Sequence, residues 1–273
     1  DFNPGVKIVH IDIDPAEIGK NFPTAVPIVG DAKHVLPKLV EHSHEAEHQE
    51  WRNWIDQVKE EHPTLHIRES RRMLPQYVVR TLWEETNGDA TIVTGVGQHQ
   101  MFAGQHYFYK RPRQLVTSGG LGTMGFELPA AIGAQVALPD AETWAICGDG
   151  GFQMTMQEMA VLVDENLPVK MAIFNNGYLG MIRQWQHLFY DRNLVDAAMT
   201  QPDFCKLADA YGIRAIRVET KSEVASAIRE ARAHKGPILV DFQIDQEENV
   251  WPMVPAGAAL SETIEAPAEE LMR

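Results

Sequence analysis

The stretch AICGDGGFQMTMQEMAVLVDENLPVKMAIFNNGYLGM, residues 145–181, predicts the fold because it has the pattern of one βαβ unit. An apolar run over 144–147 stops at Gly-Asp-Gly-Gly, and a second apolar run over 169–174 ends at Asn-Asn-Gly. Between them, helical spacing predicts a helix over 152–163 whose buried face consists of Phe152, Met156, Met159, Ala160 and Val163. Two parallel strands joined by one helix place both polar ends on the same edge of a sheet, where open α/β sheets bind ligands.

The polar ends of this unit carry residue types that bind metals and phosphates. Asp149 supplies an anionic oxygen and Asn176 a neutral amide oxygen, and the next turn supplies a backbone carbonyl, which we assign to Tyr178. Three protein oxygens leave half of an octahedron free, which suits an Mg²⁺ ion that also binds a diphosphate. Gly150 and Gly151 have no side chains that obstruct a phosphate. An ordinary βαβ unit with glycines at its turns is the alternative interpretation.

Two further strand ends carry candidate residues. The predicted strand over 90–94 leads through Gly-Val-Gly to Gln98 and His99, which are candidates for binding the terminal phosphate, with a structural histidine as the alternative. The next predicted strand leads into GLGTMG at 120–125, which formally matches the dinucleotide fingerprint. That fingerprint needs an acidic residue at the end of the following strand, and here this residue would be Asp149. The diphosphate interpretation is therefore favoured over the dinucleotide one.

The spacing of these motifs and the sequence around them resemble a known family. GDG, then 24 residues, then NN is similar to the thiamine diphosphate signature of decarboxylases and carboligases. The segments GVGQHQMFAGQHY, TSGGLGTMGFELPAAIGAQVA, NNGYLGMIRQWQHLFY and ENVWPMVPAGAAL resemble the catalytic subunits of acetolactate synthases. The similarity runs over nearly all 273 residues and does not include the N-terminal half of the family.

This resemblance implies a fold, a set of cofactors and a reaction. We expect an α/β fold with a mainly parallel, six-stranded sheet and helices on both faces. The family uses thiamine diphosphate, Mg²⁺ and FAD, and condenses decarboxylated pyruvate with pyruvate or 2-oxobutanoate in branched-chain amino acid biosynthesis. The resemblance further implies a cytoplasmic homodimer or homotetramer and a small regulatory subunit as partner.

The resemblance also assigns cofactor contacts to individual residues of this chain. The residues expected to bind thiamine diphosphate are Gln98, His99, Gly122, Thr123, Met124, Asp149, Gly150, Gly151, Asn176, Gly177, Tyr178, Leu179, Gly180 and Met181. Among them, Asp149, Asn176 and Tyr178 would hold the metal ion. Met124 would support the bent form of the cofactor, although a methionine in the core fits the sequence equally well.

The substrate and the flavin are assigned to other positions. Met181 and Trp185 lie four residues apart on a predicted helix and would shape the substrate pocket, whereas a packed hydrophobic stripe is the alternative. The residues expected to contact FAD are Asp12, Ile13, Asp31 and Ala32. A helix N-cap explains Asp31 equally well.

Two features of the family pattern have no counterpart in this chain. In the family a glutamate from the N-terminal domain of a partner subunit protonates the aminopyrimidine, and no residue here can be assigned that role. The family usually has MGFGLP where this chain has MGFELP, so Glu127 replaces a glycine. A carboxylate in that turn lacks the conformational freedom of glycine, and we expect either a changed turn or reduced activity.

Composition excludes several classes of function. The 273 residues are 44% apolar and carry a net charge of −14, with no run of Lys and Arg longer than two, which disfavours nucleic acid and anionic membranes as partners. No apolar stretch approaches the ~20 residues that span a bilayer. Two cysteines cannot form a disulfide framework and favour a reducing, cytoplasmic location.

The order of these patterns predicts the organisation of the chain. We expect the remnant of a central FAD-binding-type domain over 1–40, a connector over 41–74, the thiamine diphosphate domain over 75–245 and a tail over 246–273. Within the connector, His44-Glu-Ala-Glu-His48 matches the zinc-protease pattern H-E-x-x-H. We reject this match because the surrounding run is almost wholly polar and offers no third ligand.

Three alternative functions remain open at this point. A related carboligase or decarboxylase would share GDG and NN but not the GMIRQWQ context. A non-catalytic cofactor-binding module would account for the missing half of the family. A nicotinamide dehydrogenase would use the glycines of 120–125 and would be recognised by NAD binding.

Overall fold

The computed structural model describes residues 5–267, which form two compact units. The smaller unit contains the residues up to Thr64 together with Pro252–Glu265, and the larger unit extends from Leu65 to Trp251. The predicted tail over 246–273 is therefore not a single segment, because its first residues belong to the larger unit and the following ones to the smaller. Residues 268–273 of that tail and residues 1–4 of the predicted first domain lie outside the described residues.

The smaller unit is built around two parallel strands, β1 (Val9–Asp12) and β2 (Val26–Val29). Helix α1 (Ala32–Glu41) follows β2 and is capped by Asp31, whose side chain accepts a hydrogen bond from the amide of Lys33 at 2.8 Å. A second helix, α2, extends over Gln49–Glu61. Neither helix buries a residue completely within the described part of the chain.

The larger unit contains a six-stranded parallel sheet, as predicted. Its strands are β3 (Thr91–Thr94), β4 (Leu115–Thr117), β5 (Thr143–Gly148), β6 (Lys170–Asn175), β7 (Arg214–Val218) and β8 (Ile238–Gln243). They are arranged in the order β4-β3-β5-β6-β8-β7. Its helices are α3 (Pro75–Glu85), α4 (Gln98–His106), α5 (Glu127–Ala137), α6 (Asp149–Thr155), α7 (Met159–Asp164), α8 (Gly180–Phe189), α9 (Phe204–Ala210) and α10 (Val224–Ala233).

Helices cover both faces of this sheet, so its central strands are apolar on both sides. In β5, Trp144 and Ile146 pack into one core cluster with side chains of α3, α4 and α10. Ala145 and Cys147 face the other cluster, which includes side chains of α5, α7 and α9. Burial on two faces explains why β5 and β6 read as continuous apolar runs in the sequence.

The strand order creates a crevice at the carboxyl edge of the sheet. After β3 the chain adds β4 on one side, and it then returns to add β5 on the other side of β3. The connections that leave β3 and β5 therefore run in opposite directions across the sheet. Ligands of open α/β sheets bind at such a switch point, outside the carboxyl ends of the strands.

The helix predicted over 152–163 differs from the observed one. Helix α6 begins at Asp149, and a 3₁₀ turn over Met156–Glu158 separates it from α7. A 3₁₀ turn has three residues per turn and shifts the phase of the side chains. As a result Ala160 and Val163 are exposed, and Leu162 takes the place in the core that was expected of them.

Two other helices differ from the sequence prediction. Helix α4 was not predicted, because its sequence QHQMFAGQH has almost no helical periodicity of apolar residues. It begins directly after Gly97, whose φ of 149° is a conformation that glycine adopts readily. The sequence predicts a helix over 178–189, but α8 begins at Gly180 because residues 177–179 pair with 197–199 in an extended loop.

We expect Phe204→Ala to destabilise the larger unit by about 3–5 kcal/mol, because it removes a fully buried ring. The ring packs edge to face against Phe152, with centroids 5.8 Å apart. Urea denaturation followed by circular dichroism measures the free energy of unfolding. The matched control is Phe189→Ala at the exposed end of α8, which should cost less than about 1 kcal/mol. Equal losses in the two variants would contradict this packing.

Candidate functional site

A cavity of about 40 Å³ lies at the switch point of the sheet. It is lined by Val96, Gly97, Gln98, His99, Phe102, Met124, Gly148, Asp149, Gly150, Gly151, Phe174, Asn176, Tyr178, Leu179, Gly180 and Ile244. Four residues of the predicted cofactor set do not line it, namely Gly122, Thr123, Gly177 and Met181.

Asp149 joins the two halves of the site. It begins α6 directly after β5 and is only 2% exposed. Its Oδ1 accepts a hydrogen bond from the amide of Gly150 at 2.8 Å, and its Oδ2 accepts from the amides of Gly177 at 2.7 Å and Asn176 at 3.2 Å. Burial raises the pKa of this carboxyl to about 6, although the three amides oppose the shift. A bound cation would favour the ionised carboxylate.

Asn176 presents a second oxygen at the end of β6. Its Oδ1 accepts a hydrogen bond from the amide of Tyr178 at 3.0 Å, which fixes the side chain over the turn. Gly177 allows this turn because its φ is 73°, in the left-handed region. The turn is held in place by hydrogen bonds from the amide of Met199 to the carbonyl of Gly177, and from the amide of Leu179 to the carbonyl of Ala197.

The donor set fits a hard divalent cation. Asp149 and Asn176 both line the cavity and offer a carboxylate and an amide oxygen, which are the ligand types that Mg²⁺ accepts. Among residues 5–267, no group of three His, Cys, Asp or Glu side chains is placed to hold a metal ion. A metal in this cavity would therefore depend on neutral oxygens in addition to one carboxylate.

His99 and the glycines fit a diphosphate. His99 is 8% exposed and its Nε2 has no hydrogen-bond partner, so this buried atom is available to a ligand. Burial lowers its pKa to about 4, and the imidazole is neutral at pH 7. Its ring packs so closely against Gly148 that a Cβ there would lie 2.8 Å from Nδ1. A Cβ on Gly150 would lie 2.9 Å from the side chain of Met199.

Gln98 is placed at the cavity but its amide group is already engaged. Its Nε2 donates hydrogen bonds to Oε1 of Gln184 at 2.7 Å and to the carbonyl of Glu248 at 3.1 Å. Its Oε1 instead faces Gly180, where a Cβ would lie only 2.2 Å away. A phosphate oxygen needs a donor, so Gln98 would have to release one of these bonds to bind it.

The loop over 118–125 brings one of its three predicted residues to the cavity. Met124 lines the cavity, whereas Gly122 and Thr123 are exposed. Gly122 has a φ of 65°, and the amide of Thr123 donates to the hydroxyl of Ser118 at 3.0 Å. Leu121 is 95% exposed, so this loop offers an uncovered apolar surface.

The predicted substrate residues lie outside the cavity. Met181 packs against the core cluster of α3 and α4, and Trp185 is 51% exposed on the same helix. Next to them, Arg183 and Gln184 are buried and bind residues 248–250. The sequence contained a signal for this contact, because two adjacent polar residues interrupt the apolar positions of α8.

Glu127 is a site residue whose setting the sequence did not reveal. It begins α5, is fully buried, and has no hydrogen-bond partner at either carboxylate oxygen within the described structure. The carboxylate lies against Gly95 and Gly151, where added Cβ atoms would come within 2.1 Å and 2.5 Å of it. Burial raises its pKa to about 7, and the nearby amides of Gly125 and Glu127 oppose this shift only in part.

The residues predicted to contact FAD lie together in the smaller unit. Asp12 ends β1, where its Oδ1 accepts a hydrogen bond from the amide of Asp14 at 2.8 Å. Asp31 and Ala32 form the start of α1, and the N-cap bond of Asp31 satisfies its side chain. Ile13 is 69% exposed. A turn hydrogen bond at Asp12 and a helix cap at Asp31 account for both aspartates without a flavin, and a contact with FAD stays a prediction.

Two motifs of the sequence, one rejected and one disfavoured, lack the geometry that they require. His44 and His48 precede α2 in a segment without helical structure, so they do not share a helix face. Gly120 and Gly122 are exposed and Gly125 is buried, and all three precede helix α5, which begins only at Glu127. A dinucleotide fingerprint needs these glycines at the first turn of the helix.

Comparison with known proteins identifies two family matches. Residues 95–242 match the family described as "Thiamine pyrophosphate enzyme, C-terminal TPP binding domain". Residues 1–39 match the family described as "Thiamine pyrophosphate enzyme, central domain". The first match covers more than half of the chain and includes every residue that lines the cavity except Ile244.

The curated proteins to which this chain is similar are more than twice its length. It is 46% identical over 274 residues to "Acetolactate synthase" of Mycobacterium leprae, and 45% identical to "Acetolactate synthase large subunit" of Corynebacterium glutamicum. It is 44% identical to "Acetolactate synthase 1, chloroplastic" of Oryza sativa. Each match covers 96% of this chain but only 43–44% of the relative. The chain thus spans less than half the length of these relatives.

The buried acid at position 127 should make stability depend on pH. A pKa raised from 4.5 to about 7 means that stability falls by about 3 kcal/mol as the pH rises from 4.5 to 7, and then stays constant. Glu127→Gln removes this dependence. We expect the variant and the parent to be similar at pH 5, with the variant more stable by about 2–3 kcal/mol at pH 8.

Chemical denaturation of both proteins across this range provides the test. Asp164→Asn, an exposed change on α7, is the control and should follow the parent at every pH. A parent protein whose stability relative to Glu127→Gln does not change with pH would show that Glu127 is already ionised at low pH.

Proposed function

We propose that this chain, which belongs to the thiamine pyrophosphate enzyme family, is the C-terminal portion of an acetolactate synthase and binds thiamine diphosphate through Mg²⁺. The observation that carries this proposal is the pairing of Asp149 with Asn176. The two residues follow neighbouring parallel strands, are joined by a hydrogen bond, and line one cavity at the switch point.

In this proposal different residues of the cavity bind different parts of the cofactor. Asp149, Asn176 and the carbonyl of Tyr178 hold the metal ion, and His99 donates from its free Nε2 to a phosphate oxygen. Gly150 and Gly151 let the diphosphate approach the backbone. Gln98 binds the terminal phosphate beside His99 once it releases one of its two donor bonds. The remaining members of the set surround the rest of the cofactor, namely Gly122, Thr123, Met124, Gly177, Leu179, Gly180 and Met181.

The proposed reaction joins two 2-oxo acids. Pyruvate is decarboxylated and the two-carbon unit is condensed with pyruvate or 2-oxobutanoate, which is a carboligase (transferase) step of branched-chain amino acid biosynthesis. The bound cofactor would supply the electron sink for decarboxylation, and the protein would supply placement and electrostatics. The names of the relatives and the identity of 44–46% over 96% of the chain support this reaction. Met181 and Trp185 would border the acceptor acid.

The proposal includes further partners. The match of residues 1–39 to the central domain supports FAD binding near Asp12, Ile13, Asp31 and Ala32. A homodimer or homotetramer is supported by exposed apolar side chains on α5 and α6, where Val136 is 63% and Met154 59% exposed. None of the described helices is long and apolar enough to cross a membrane. A cytoplasmic location and a small regulatory subunit follow from the family resemblance alone.

Glu127 favours a second candidate, a cofactor-binding module without turnover. An ionisable side chain without a partner lies directly against the backbone of Gly151, where the family resemblance leads one to expect a glycine at 127. The activating glutamate of the family also has no counterpart in this chain. Both observations concern activity, and neither removes the metal and phosphate ligands.

We expect Asp149→Asn to weaken the Mg²⁺-dependent binding of thiamine diphosphate at least tenfold, which is about 1.4 kcal/mol. The substitution keeps the shape of the side chain and removes the charge that a metal ion needs. Isothermal titration calorimetry with and without Mg²⁺ measures the affinity, and far-ultraviolet circular dichroism checks the fold. Asp164→Asn is the control for charge. An unchanged affinity in Asp149→Asn would overturn the metal assignment.

The chain by itself should bind the cofactor without forming acetolactate above the rate of a blank. The residue that activates the aminopyrimidine is expected on the N-terminal domain of a partner subunit. Incubation with pyruvate, thiamine diphosphate and Mg²⁺, followed by colorimetric detection of acetoin, tests this. Sustained product formation by the 273-residue chain would show that the catalytic set is complete without that domain.

A further inference from the structure

The carboxyl group of Glu127 lies directly behind the wall of the cavity. Gly151 lines the cavity, and Oε1 of Glu127 lies 2.5 Å from the position that a Cβ on Gly151 would occupy. On its other side, Oε2 lies 2.1 Å from the corresponding position on Gly95, which follows β3. Glu127 therefore fills the space between Gly95 and Gly151, and it contacts the cavity wall at Gly151.

This carboxyl group has no counter-charge. The titratable side chains carried by the elements that pack against α5 are the thiol of Cys147 on β5, Asp149 on α6, Glu158 in the 3₁₀ turn and Asp164 on α7. Strand β3 carries none. Every one of these groups is an acid, and burial of Glu127 is the main cause of its raised pKa. No cation on these elements offsets its ionisation.

We propose that Glu127 must be a neutral carboxylic acid when this site holds a diphosphate, so that cofactor binding takes up a proton. The inference rests on the proposed function, since it assumes that the cavity binds the anionic end of thiamine diphosphate. The diphosphate carries more negative charge than one Mg²⁺ ion offsets, so the pair places net negative charge beside Gly151 and makes ionisation of Glu127 still less favourable. By linkage, ionised Glu127 weakens the binding of that anion to the same extent. Glu127 thus sets the pH range over which the site accepts its ligand.

The coupling belongs to position 127 and can be separated from other titrations in the site. His99, Asp149 and the diphosphate itself also change protonation, and all of them are the same in a variant that differs only at position 127. Glu127→Gln keeps the volume of the side chain and removes its charge. Glu127→Gly removes the side chain altogether and opens the space beside Gly95. A ratio of dissociation constants between parent and variant therefore reports on Glu127 alone.

The test is a calorimetric titration of the full chain with thiamine diphosphate and saturating Mg²⁺ between pH 6.5 and 8.5. We expect the Kd of the parent divided by that of Glu127→Gln to rise by at least about threefold across this range. One proton with a pKa of about 7 limits the rise to about 25-fold. Glu127→Gly should match Glu127→Gln in its pH profile. Titrations at pH 8 in buffers of different ionisation enthalpy should show up to about 0.9 more protons taken up by the parent.

The outcomes distinguish this inference about Glu127 from the proposed function of the chain. A Kd ratio that stays constant with pH, or equal proton uptake by parent and Glu127→Gln, would overturn this inference and leave the proposed function standing. Failure of all three proteins to bind at every pH would overturn the proposed function of the chain, and this inference with it. A parent Kd that rises with pH relative to the Kd of each variant supports both statements.

Discussion

The candidate site depends on the hydrogen bonds that the carboxylate of Asp149 accepts from the amides of Gly150, Asn176 and Gly177. These bonds connect the end of β5 to the turn after β6, and they bring a carboxylate and an amide oxygen to one cavity. A carboxylate that is 2% exposed would be costly without such donors. With them, the carboxylate is a fixed negative charge at the switch point of the sheet.

A second buried acid, Glu127, lies on the other side of Gly151 and has no such support. The carboxyl group of Asp149 accepts hydrogen bonds from three amides, whereas that of Glu127 has no hydrogen-bond partner within the described structure. Burial raises the pKa of Asp149 to about 6 and that of Glu127 to about 7, so both acids ionise near neutral pH without a metal ion. A cation on the cavity side would favour the ionised form of Asp149, whereas the diphosphate would oppose ionisation of Glu127.

Local pattern was sufficient to predict the βαβ unit that carries Asp149 and Asn176, whereas the six-stranded sheet and the full cofactor set were expected from the family resemblance. The apolar runs before GDGG and NNG predicted β5 and β6, and parallel pairing then placed Asp149 beside Asn176. Helix α4 was missed because its sequence lacks periodicity, and the phase of α7 was wrong because a 3₁₀ turn leaves no clear signal. The orientation of Gln98 depends on Gln184, 86 positions along the chain, so no local pattern contains it. Glu127 was recognised as unusual, but its burial against Gly95 and Gly151 is a property of the assembled fold.

The most direct test of the account is a crystal structure of the full chain grown with thiamine diphosphate and Mn²⁺, a divalent ion that substitutes for Mg²⁺ and has a strong anomalous signal. The account predicts an anomalous peak within about 2.3 Å of Oδ of Asp149 and Oδ1 of Asn176, with a diphosphate oxygen completing the coordination. A diphosphate bound elsewhere, or a Mn²⁺ peak away from both side chains, would contradict the claim that GDG and NN form the cofactor site.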